Sequence, residues 1–296
     1  MQAALLPDRG VVKVAGDAAR KFLNGLITAD MAKVAPDRAA FAALLSPQGK
    51  IIADFIVAEA EPADGGGFFL DCPRALAPTL VERLNFYKLR AKLIVEDLSD
   101  VLGVMAIWDG NASSDYGLVY NDPRLPDLGA RMMLPLHLTS AAAKELGAAL
   151  VDAAEYEAHR IALVVPRGGV DYVYGDAFPH ETDMDQLNGV DFDKGCFVGQ
   201  EVVSRIEHRG TARNRIVGVR YDEFAPEPGV PVQANEKSVG TLGSTARGRG
   251  LAMLRIDRVA EALAKGERLT AGGIALEMIK PAWARFELPG SAQAAE

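Results

Sequence analysis

The sequence contains only two cysteines, and this scarcity limits the metal chemistry that the chain can perform alone. Cys72 and Cys196 lie far apart, and the chain contains neither a CxxC nor an HExxH pattern. Structural zinc sites and iron–sulfur clusters usually take four protein ligands, so two thiols do not fill such a site. The sequence therefore predicts neither an extracellular disulfide framework nor a permanently bound metal.

The chain also lacks long apolar runs and an excess of basic residues. No stretch approaches the roughly 18 uninterrupted apolar residues of a membrane span. The first residues, MQAALLPDRGVVKV, lack the basic start and apolar core of a secretory signal. The net charge of −8 at pH 7 disfavours nucleic acids and anionic membranes as main partners. We therefore expect a soluble, cytoplasmic protein that binds neither nucleic acid directly nor a membrane.

The first hundred residues show the pattern of a mixed α+β unit. VVKV at 11–14 is a predicted strand, and AARKFLNGL after it has the apolar spacing of a helix. AAFAALL (39–45) and IIADFIVA (51–58) are joined by SPQGK, which predicts a β-hairpin because Pro and Gly favour a turn. A strand at 67–71 and a helix leading into a strand at 92–97 complete this unit.

The pattern of apolar and turn-forming residues changes near residue 210. From there, short apolar segments alternate with Gly, Pro and Asn-Glu turns, which predicts a small barrel or sandwich. Before this point, SAAAKELGAAL (140–150) and AAEYEAHRIAL (153–163) favour helices. We therefore predict one body over 1–210, a small β domain over 211–290, and a frayed tail over 291–296.

The stretch KGCFVGQE, residues 194–201, contains one of the two cysteines. The following GQEVVSRIEHR predicts a helix, so Cys196 would lie close to a helix amino terminus, where the helix dipole and Lys194 favour a thiolate. Lone cysteines are also commonly buried and inert. The residues alone leave both interpretations open.

The neighbours of this cysteine are open to two interpretations as well. Gly195 and Gly199 either allow the backbone to approach a flat ligand or only shape the turn before the helix. Gln200 and Glu201 either contact that ligand or only occupy the first helical turn.

KGCFVGQE resembles the K-G-C-[FY]-x-G-Q-E signature of the YgfZ family of folate-binding proteins, which includes mitochondrial relatives that assist late iron–sulfur cluster assembly. VKVAGDAARKFLNGLITADM, LLSPQGKIIADFIV and VGTLGSTARGRGLAMLRI resemble further segments of this family. The family in turn resembles the T-protein of the glycine cleavage system, an aminomethyltransferase that uses tetrahydrofolate. The resemblance implies an α+β fold, with a T-protein-like folate-binding body of subdomains around a central cavity and then a small C-terminal β-barrel.

The same resemblance implies an accessory factor that binds tetrahydrofolate or a one-carbon derivative. It would use Cys196 in the assembly or repair of four-iron four-sulfur proteins, including those that modify tRNA. One thiol donates one ligand, so the expected partners are iron–sulfur assembly or client proteins. The alternative is a folate-dependent aminomethyl or methyl transferase. Where the T-protein hairpin has two adjacent aspartates, this chain has Ala53-Asp54, which disfavours aminomethyl transfer and leaves enzymatic turnover undecided.

Folate recognition suggests candidate binding residues. A carboxylate accepts the N–H and amino groups of a pterin edge, and Arg or Lys binds the glutamate tail. Glu181 and Asp54 are the candidate carboxylates, Tyr87 a stacking face and Arg90 a tail anchor. The family motifs add Asn24, Thr28, Gly195, Gly199, Gln200 and Glu201. Arg205 is a further candidate for the glutamate tail, because Arg205, Arg209 and Arg213 recur every four residues along one face of the predicted helix. Structural roles remain open for all of these: a solvated acid or base, a core aromatic residue, or a helix cap.

Overall fold

A computed structural model describes four stretches of the chain: 1–62, 65–210, 212–222 and 224–290. The chain forms two compact units. Among the described residues, the first unit comprises those within 1–156 and 187–200, and the second comprises those within 157–186 and 201–290. This division differs from the predicted boundary near 210, because 157–186 and the residues just after 200 group with the barrel. The predicted tail, 291–296, lies outside the described residues.

The first unit contains a five-stranded sheet of order β3-β4-β5-β2-β6. Its strands are β2 (Arg9–Ala15), β3 (Ala40–Leu45), β4 (Ile51–Glu59), β5 (Phe68–Pro73) and β6 (Ile94–Asp97). The predicted hairpin is confirmed: β3 and β4 are antiparallel neighbours. Two helices, α1 (Ala19–Asn24) and α2 (Ala77–Lys88), bury Leu23, Leu80 and Leu84 in a core that includes side chains of this sheet.

A second five-stranded sheet in this unit has the order β10-β1-β7-β9-β8. Its strands are β1 (Gln2–Leu5), β7 (Leu102–Trp108), β8 (Leu118–Asn121), β9 (Ala130–Pro135) and β10 (Ala149–Leu150). The predicted helix at 140–150 is shorter in the structure: α3 covers Thr139–Glu145. Gly147 then takes a φ of +65°, and β10 pairs with β1. The next helix, α4, covers Ala153–Ala162.

The second unit contains the closed barrel that the sequence predicts, with the order β11-β14-β13-β12-β15-β16. Its strands are β11 (Asn214–Arg220), β12 (Pro231–Ala234), β13 (Lys237–Ala246), β14 (Arg249–Arg255), β15 (Leu269–Ala271) and β16 (Ile274–Ile279). Helix α5 (Gln200–Arg209) precedes it, and α6 (Ile256–Ala264), which the sequence analysis missed, follows β14. Short 3-10 helices include Met31–Lys33, Arg74–Leu76, Pro126–Leu128, Leu136–Leu138 and Pro179–Thr182. Within the described stretches, none of the helices has the length and apolar character needed to cross a bilayer.

Candidate functional site

The loop at residues 194–201 contains two glycines, of which Gly199 packs against the β3–β4 turn and Gly195 faces open space. Gly199 has a φ of +82°, and a Cβ atom there would lie 2.6 Å from the carbonyl oxygen of Ser46, in the turn between β3 and β4. Backbone conformation and close approach therefore both require glycine at this position. Gly195 is exposed, and a Cβ atom there would meet no atom within 4 Å. Its lack of a side chain leaves open space beside the cysteine.

Lys194 holds this loop against the segment that follows α1. Its ammonium group donates to the carbonyl oxygens of Asn24, Ile27 and Ala29 at 2.8, 2.7 and 2.6 Å. Burial lowers the pKa of Lys194 to about 8, and the nearby carboxylates of Asp30 and Asp191 oppose this shift. Three backbone acceptors occupy the donor capacity of an ammonium group. The geometry therefore gives Lys194 a positioning role for the loop.

The two cysteines have opposite environments. Cys196 is exposed, whereas Cys72 is buried in the core beneath the first sheet. Burial raises the pKa of the Cys72 thiol to about 12, so Cys72 stays protonated and inert. Cys196 precedes α5, whose first residue, Gln200, donates its backbone N–H to the carbonyl oxygen of Phe197 at 3.2 Å. The exposed thiol is thus presented on a loop that Lys194 and Gly199 hold in place.

Asn24 and Thr28, which the family motif suggested for folate, form bonds that organise the same region. Thr28 is fully buried; its hydroxyl donates to the carbonyl oxygen of Gly189 at 2.6 Å and accepts the N–H of Ala43 at 2.8 Å. The side chain of Asn24 accepts the N–H of Met31 at 2.9 Å. Through Thr28, the strand β3 is linked to the segment that leads into the cysteine loop.

A cavity of about 560 Å³ lies in the first unit next to this segment. Its polar lining consists mainly of carboxylates, two basic residues and two amides, with the aromatic rings of Phe41 and Phe192 among its apolar walls. The charged and amide residues are Asp30, Lys33, Asp37, Arg38, Asn121, Asn188, Asp191 and Asp193. Lys33 forms a hydrogen-bonded ion pair with Asp191. The hydrogen bond to the Asp191 carboxylate raises the pKa of Lys33. The lining combines aromatic faces with charges of both signs.

Phe41 connects this cavity to a buried charge network. The guanidinium of Arg124 lies 5.7 Å from the centre of the Phe41 ring and pairs with Asp122 at 2.6 Å. Arg131 bonds to both Asp122 and Asp71, at 3.0 and 2.6 Å. Burial alone would raise the pKa of Asp122, but Arg124 and Arg131 lower it below its usual range. Removing one partner from such a network leaves an uncompensated buried charge. The charged side chains are therefore held in place, and they support the cavity wall at Phe41.

The hairpin register places Ala53 and Asp54 on opposite faces of the sheet. Ala53 pairs with Leu44, and both lie in the core that the helices cover. Asp54 pairs with Ala43 and is 5% exposed. Its charge contributes to raising the pKa of Arg9, although burial opposes this effect. The buried position of Asp54 differs from the solvated alternative that the sequence left open.

Tyr87 and Arg90 are separated from the cavity lining. Tyr87 packs partly buried against the first core and meets Phe86 edge-to-face at 5.5 Å. Arg90 is exposed in the segment between α2 and β6. The structure therefore shows a packing contact for Tyr87 and a solvent-facing position for Arg90.

Glu181 belongs to the second unit, where its carboxylate has two partners. One oxygen accepts the backbone N–H of Phe178 at 2.9 Å, and the other accepts the side-chain amide of Asn214 at 2.7 Å. The first contact caps the 3-10 helix at Pro179–Thr182. Glu181 also lines a second cavity, of about 410 Å³, with Arg213 among its other residues. Each carboxylate oxygen retains a lone pair for a further donor.

Two further candidate folate residues, Glu201 and Arg205, lie on the exposed face of α5. Glu201 and Arg205 form an i,i+4 ion pair at 2.6 Å, with side chains 84% and 55% exposed. Such exposed pairs stabilise a helix by only a few tenths of a kcal/mol.

One potential metal-ligand group in the second unit was missed by sequence spacing. The side chains of His180, Asp185 and Glu207 bring ligand atoms within 4.8 Å of one another. Arg215 already engages the Asp185 carboxylate through two bonds.

The structure thus brings part of the predicted set together. Lys194 and Thr28 connect the cysteine loop, Asn24 and the cavity region within the first unit. Sequence reasoning missed the cavity residues, although a signal was present: Asp30 follows Thr28 within LITAD, and Asp191 and Asp193 immediately precede the signature. These carboxylates flank motifs that the sequence analysis had already identified.

Comparisons with known proteins agree with this architecture. Residues 213–286 match the family described as "CAF17, C-terminal beta-barrel domain". The crystal structure of the glycine cleavage system aminomethyltransferase T from Bartonella henselae superimposes with a TM-score of 0.74, covering 96% of this chain and 86% of that chain at 16% sequence identity. This likeness shows the fold alone, and it confirms the predicted T-protein-like α+β fold followed by a barrel.

Several curated relatives are similar along most of the chain. The human iron–sulfur cluster assembly factor IBA57 is 30% identical over 86% of this chain and 77% of its own length. The homologue from Pyricularia oryzae is 31% identical over 90% and 72%. The homologue from Mycosarcoma maydis is 35% identical over 74% of this chain, and the match spans 57% of that relative's length.

These relatives correct the predicted cellular location and bear on the predicted family. All three are named as mitochondrial proteins, which contradicts the cytoplasmic location expected from the sequence. They are IBA57 proteins, so the comparisons support the iron–sulfur assembly branch of the resemblance but not the YgfZ label itself.

Proposed function

Because the chain belongs to the family of IBA57-type iron–sulfur cluster assembly factors, we propose that it binds a reduced folate and uses Cys196 in the assembly or repair of four-iron four-sulfur proteins. The observation that carries the thiol's role is its exposure on a fixed loop. Enzymes that modify tRNA are among the proposed clients. The chain acts on RNA modification through them and not by binding RNA.

Ligand counting defines what the thiol does. A cluster takes about four protein ligands, and the only other cysteine, Cys72, is buried in the core. Cys196 therefore supplies one ligand to a cluster that is cargo, while a partner protein supplies the others. Lys194 and Gly199 hold the loop, so the thiol is presented without a large ordering cost on association.

The cavity of the first unit supports the proposal of a folate site. Its volume of about 560 Å³ lies within the range of small-molecule sites, roughly 300–1,000 Å³. Phe41 and Phe192 offer faces for a pterin ring, and a carboxylate such as Asp193 accepts its N–H and amino donors. Lys33 and Arg38 offer positive charge to the glutamate tail. Bound folate would supply a one-carbon carrier beside the cysteine loop.

The alternative function, one-carbon transfer, lacks a positioned group in the hairpin. Ala53 lies where the T-protein-like pattern has its first aspartate, and it is packed in the core. Asp54 points to the opposite face because successive residues of a strand alternate. A register shift of one residue would be needed to exchange them, and this would turn every neighbouring side chain of β4 to the other face of the sheet. The accessory role is therefore preferred.

Anaerobic calorimetric titration with tetrahydrofolate tests the folate proposal. We expect saturable one-to-one binding to the wild type and to Cys196→Ser, and at least tenfold weaker binding to Asp193→Asn, since one charge-assisted contact contributes about 1.5–3 kcal/mol. Asp115→Asn, an exposed carboxylate that does not line the cavity, is the matched control. Equal affinities for the two Asn variants would reject the cavity as the site, and an absence of saturable heat would reject folate binding.

A further inference from the structure

Three large apolar side chains are exposed where α2 ends and β6 begins. Phe86, Leu89 and Ile94 are 70%, 84% and 61% exposed. A single exposed apolar residue is ordinary, but a group of them within one short segment marks an interaction surface. We call these three residues, together with the exposed basic residues Arg83, Arg90 and Lys92, the α2-end surface.

This segment is anchored to the first unit, so its exposure does not come from fraying. Leu93 is buried, 7% exposed, in the core, and its carbonyl oxygen accepts the Lys88 ammonium at 3.1 Å. Gly16, at a φ of +118°, lets the chain pass so close that a Cβ atom there would lie 2.7 Å from the carbonyl oxygen of Lys92. The fold fixes the backbone while the apolar side chains point outward.

The backbone at Leu89 has an unfavourable conformation. Leu89 has a φ of +48° and a ψ of −109°, a conformation that residues with a Cβ atom rarely adopt. Strain of this kind persists where the surrounding structure imposes it, and it concentrates at functional surfaces. Here it accompanies the most exposed of the three apolar side chains.

The charge around this surface indicates the chemistry of its partner. Residues 83–95 contain four Lys or Arg residues and no Asp or Glu, in a chain whose net charge is −8. Arg83, Arg90 and Lys92 are exposed, and within the described stretches none of them forms an ion pair. The carboxylates of an acidic partner could form ion pairs with these three basic side chains.

A protein partner fits these observations better than an anionic membrane. The acidic residues Glu82, Glu96 and Asp97 flank the basic segment on both sides, so a flat anionic surface would meet repulsion around a small basic centre. A protein segment can place its carboxylates opposite the basic side chains and avoid the acidic flanks.

We propose that the α2-end surface docks an acidic segment of a partner protein. Apolar side chains of that segment cover Phe86, Leu89 and Ile94, and its carboxylates pair with the basic residues around them. The inference rests on the proposed function, because a factor that supplies one ligand to a shared cluster must hold a partner. It also places Arg90 at a docking surface and not at the folate tail.

Fluorescence anisotropy with defined peptides tests this proposal. The probe is a fluorescein-labelled peptide of about six residues, the usual length of a strand, that alternates leucine and glutamate. We expect saturable binding to the wild type and at least tenfold weaker binding to Phe86→Ser/Leu89→Ser. Val101→Ser, which changes another exposed apolar residue of the first unit, 60% exposed, is the matched control and should bind as the wild type does.

A charge-reversal variant gives a second, independent readout. Arg83→Glu/Arg90→Glu should lose the glutamate peptide and gain binding to the same peptide with lysine in place of glutamate. Binding of the glutamate peptide that is unchanged in both double variants would overturn the proposal. So would a wild type that ignores the peptide and instead sediments with vesicles of phosphatidylcholine and phosphatidylserine.

The outcome is separable from that of the proposed function. Cys196→Ser should bind the peptide as tightly as the wild type, since the thiol is not part of the α2-end surface. If Cys196→Ser still supports cluster assembly in full, the proposed function fails, whereas the peptide series alone decides the docking surface.

Discussion

Replacing Gly199 by alanine should destabilise the protein far more than the same change at Gly195, within one motif. At Gly199 the φ of +82° penalises any Cβ atom by about 1–2 kcal/mol. The new methyl group would also lie 2.6 Å from the Ser46 carbonyl oxygen, a backbone atom that moves only with the hairpin turn, which adds about 1–3 kcal/mol. We expect a loss of about 2–5 kcal/mol in the free energy of unfolding of Gly199→Ala.

Gly195→Ala is the control because its Cβ atom meets open space, so its free energy of unfolding should stay within about 0.5 kcal/mol of the wild type. Urea unfolding followed by circular dichroism measures both values. For a unit of this size, the loss at Gly199 corresponds to a fall in Tm of about 4–20 °C. Equal stability of the two variants would refute the claim that the loop is fixed against the hairpin turn.

Three further predictions follow from buried groups. Iodoacetamide should alkylate Cys196 alone in the native protein, because burial raises the pKa of Cys72 to about 12; mass spectrometry after unfolding should then find both modified, and rapid native labelling of Cys72 would contradict its burial. Burial raises the pKa of Asp183 well above 3.8, so the folded state binds the extra proton and stability falls as the pH rises above about 4. Asp183→Asn should remove this fall and exceed the wild type in free energy of unfolding at neutral pH, and a lower value there would refute it. Thr28→Val should cost about 1–3 kcal/mol, since two buried backbone groups lose their partner; an unchanged urea midpoint would disprove this link.

Local patterns predicted the elements that carry the site, whereas long-range contacts decided what each residue does. The SPQGK turn predicted the hairpin, and GQEVVSRIEHR predicted α5, which begins at Gln200. The acceptors of Lys194 lie 165 to 170 residues earlier in the chain, so no local pattern could relate them to the signature. The pairing of β1 with β7 and β10 also joins segments that lie far apart in the sequence, so local patterns do not predict it.

One omission was avoidable. In α6, Ile256, Val259 and Ala262 recur every three residues, a helical spacing that was visible in the sequence. The residues were missed because they follow a strand without an intervening turn signal. Asp30, Asp191 and Asp193 could have been suspected because they lie beside the family motifs. The complete cavity lining could not be predicted, since its residues come from segments near 30–41, 121–123 and 188–193, which only the folded chain brings together.

We propose that the Cys196 thiol takes part in cluster assembly. The most direct test expresses the chain in cells that lack their own relative and measures the activity of a four-iron four-sulfur reporter enzyme. We predict that the wild type and Gly195→Ala restore this activity and that Cys196→Ser, expressed at the same level and equally stable, does not. Full restoration by Cys196→Ser would contradict the claim.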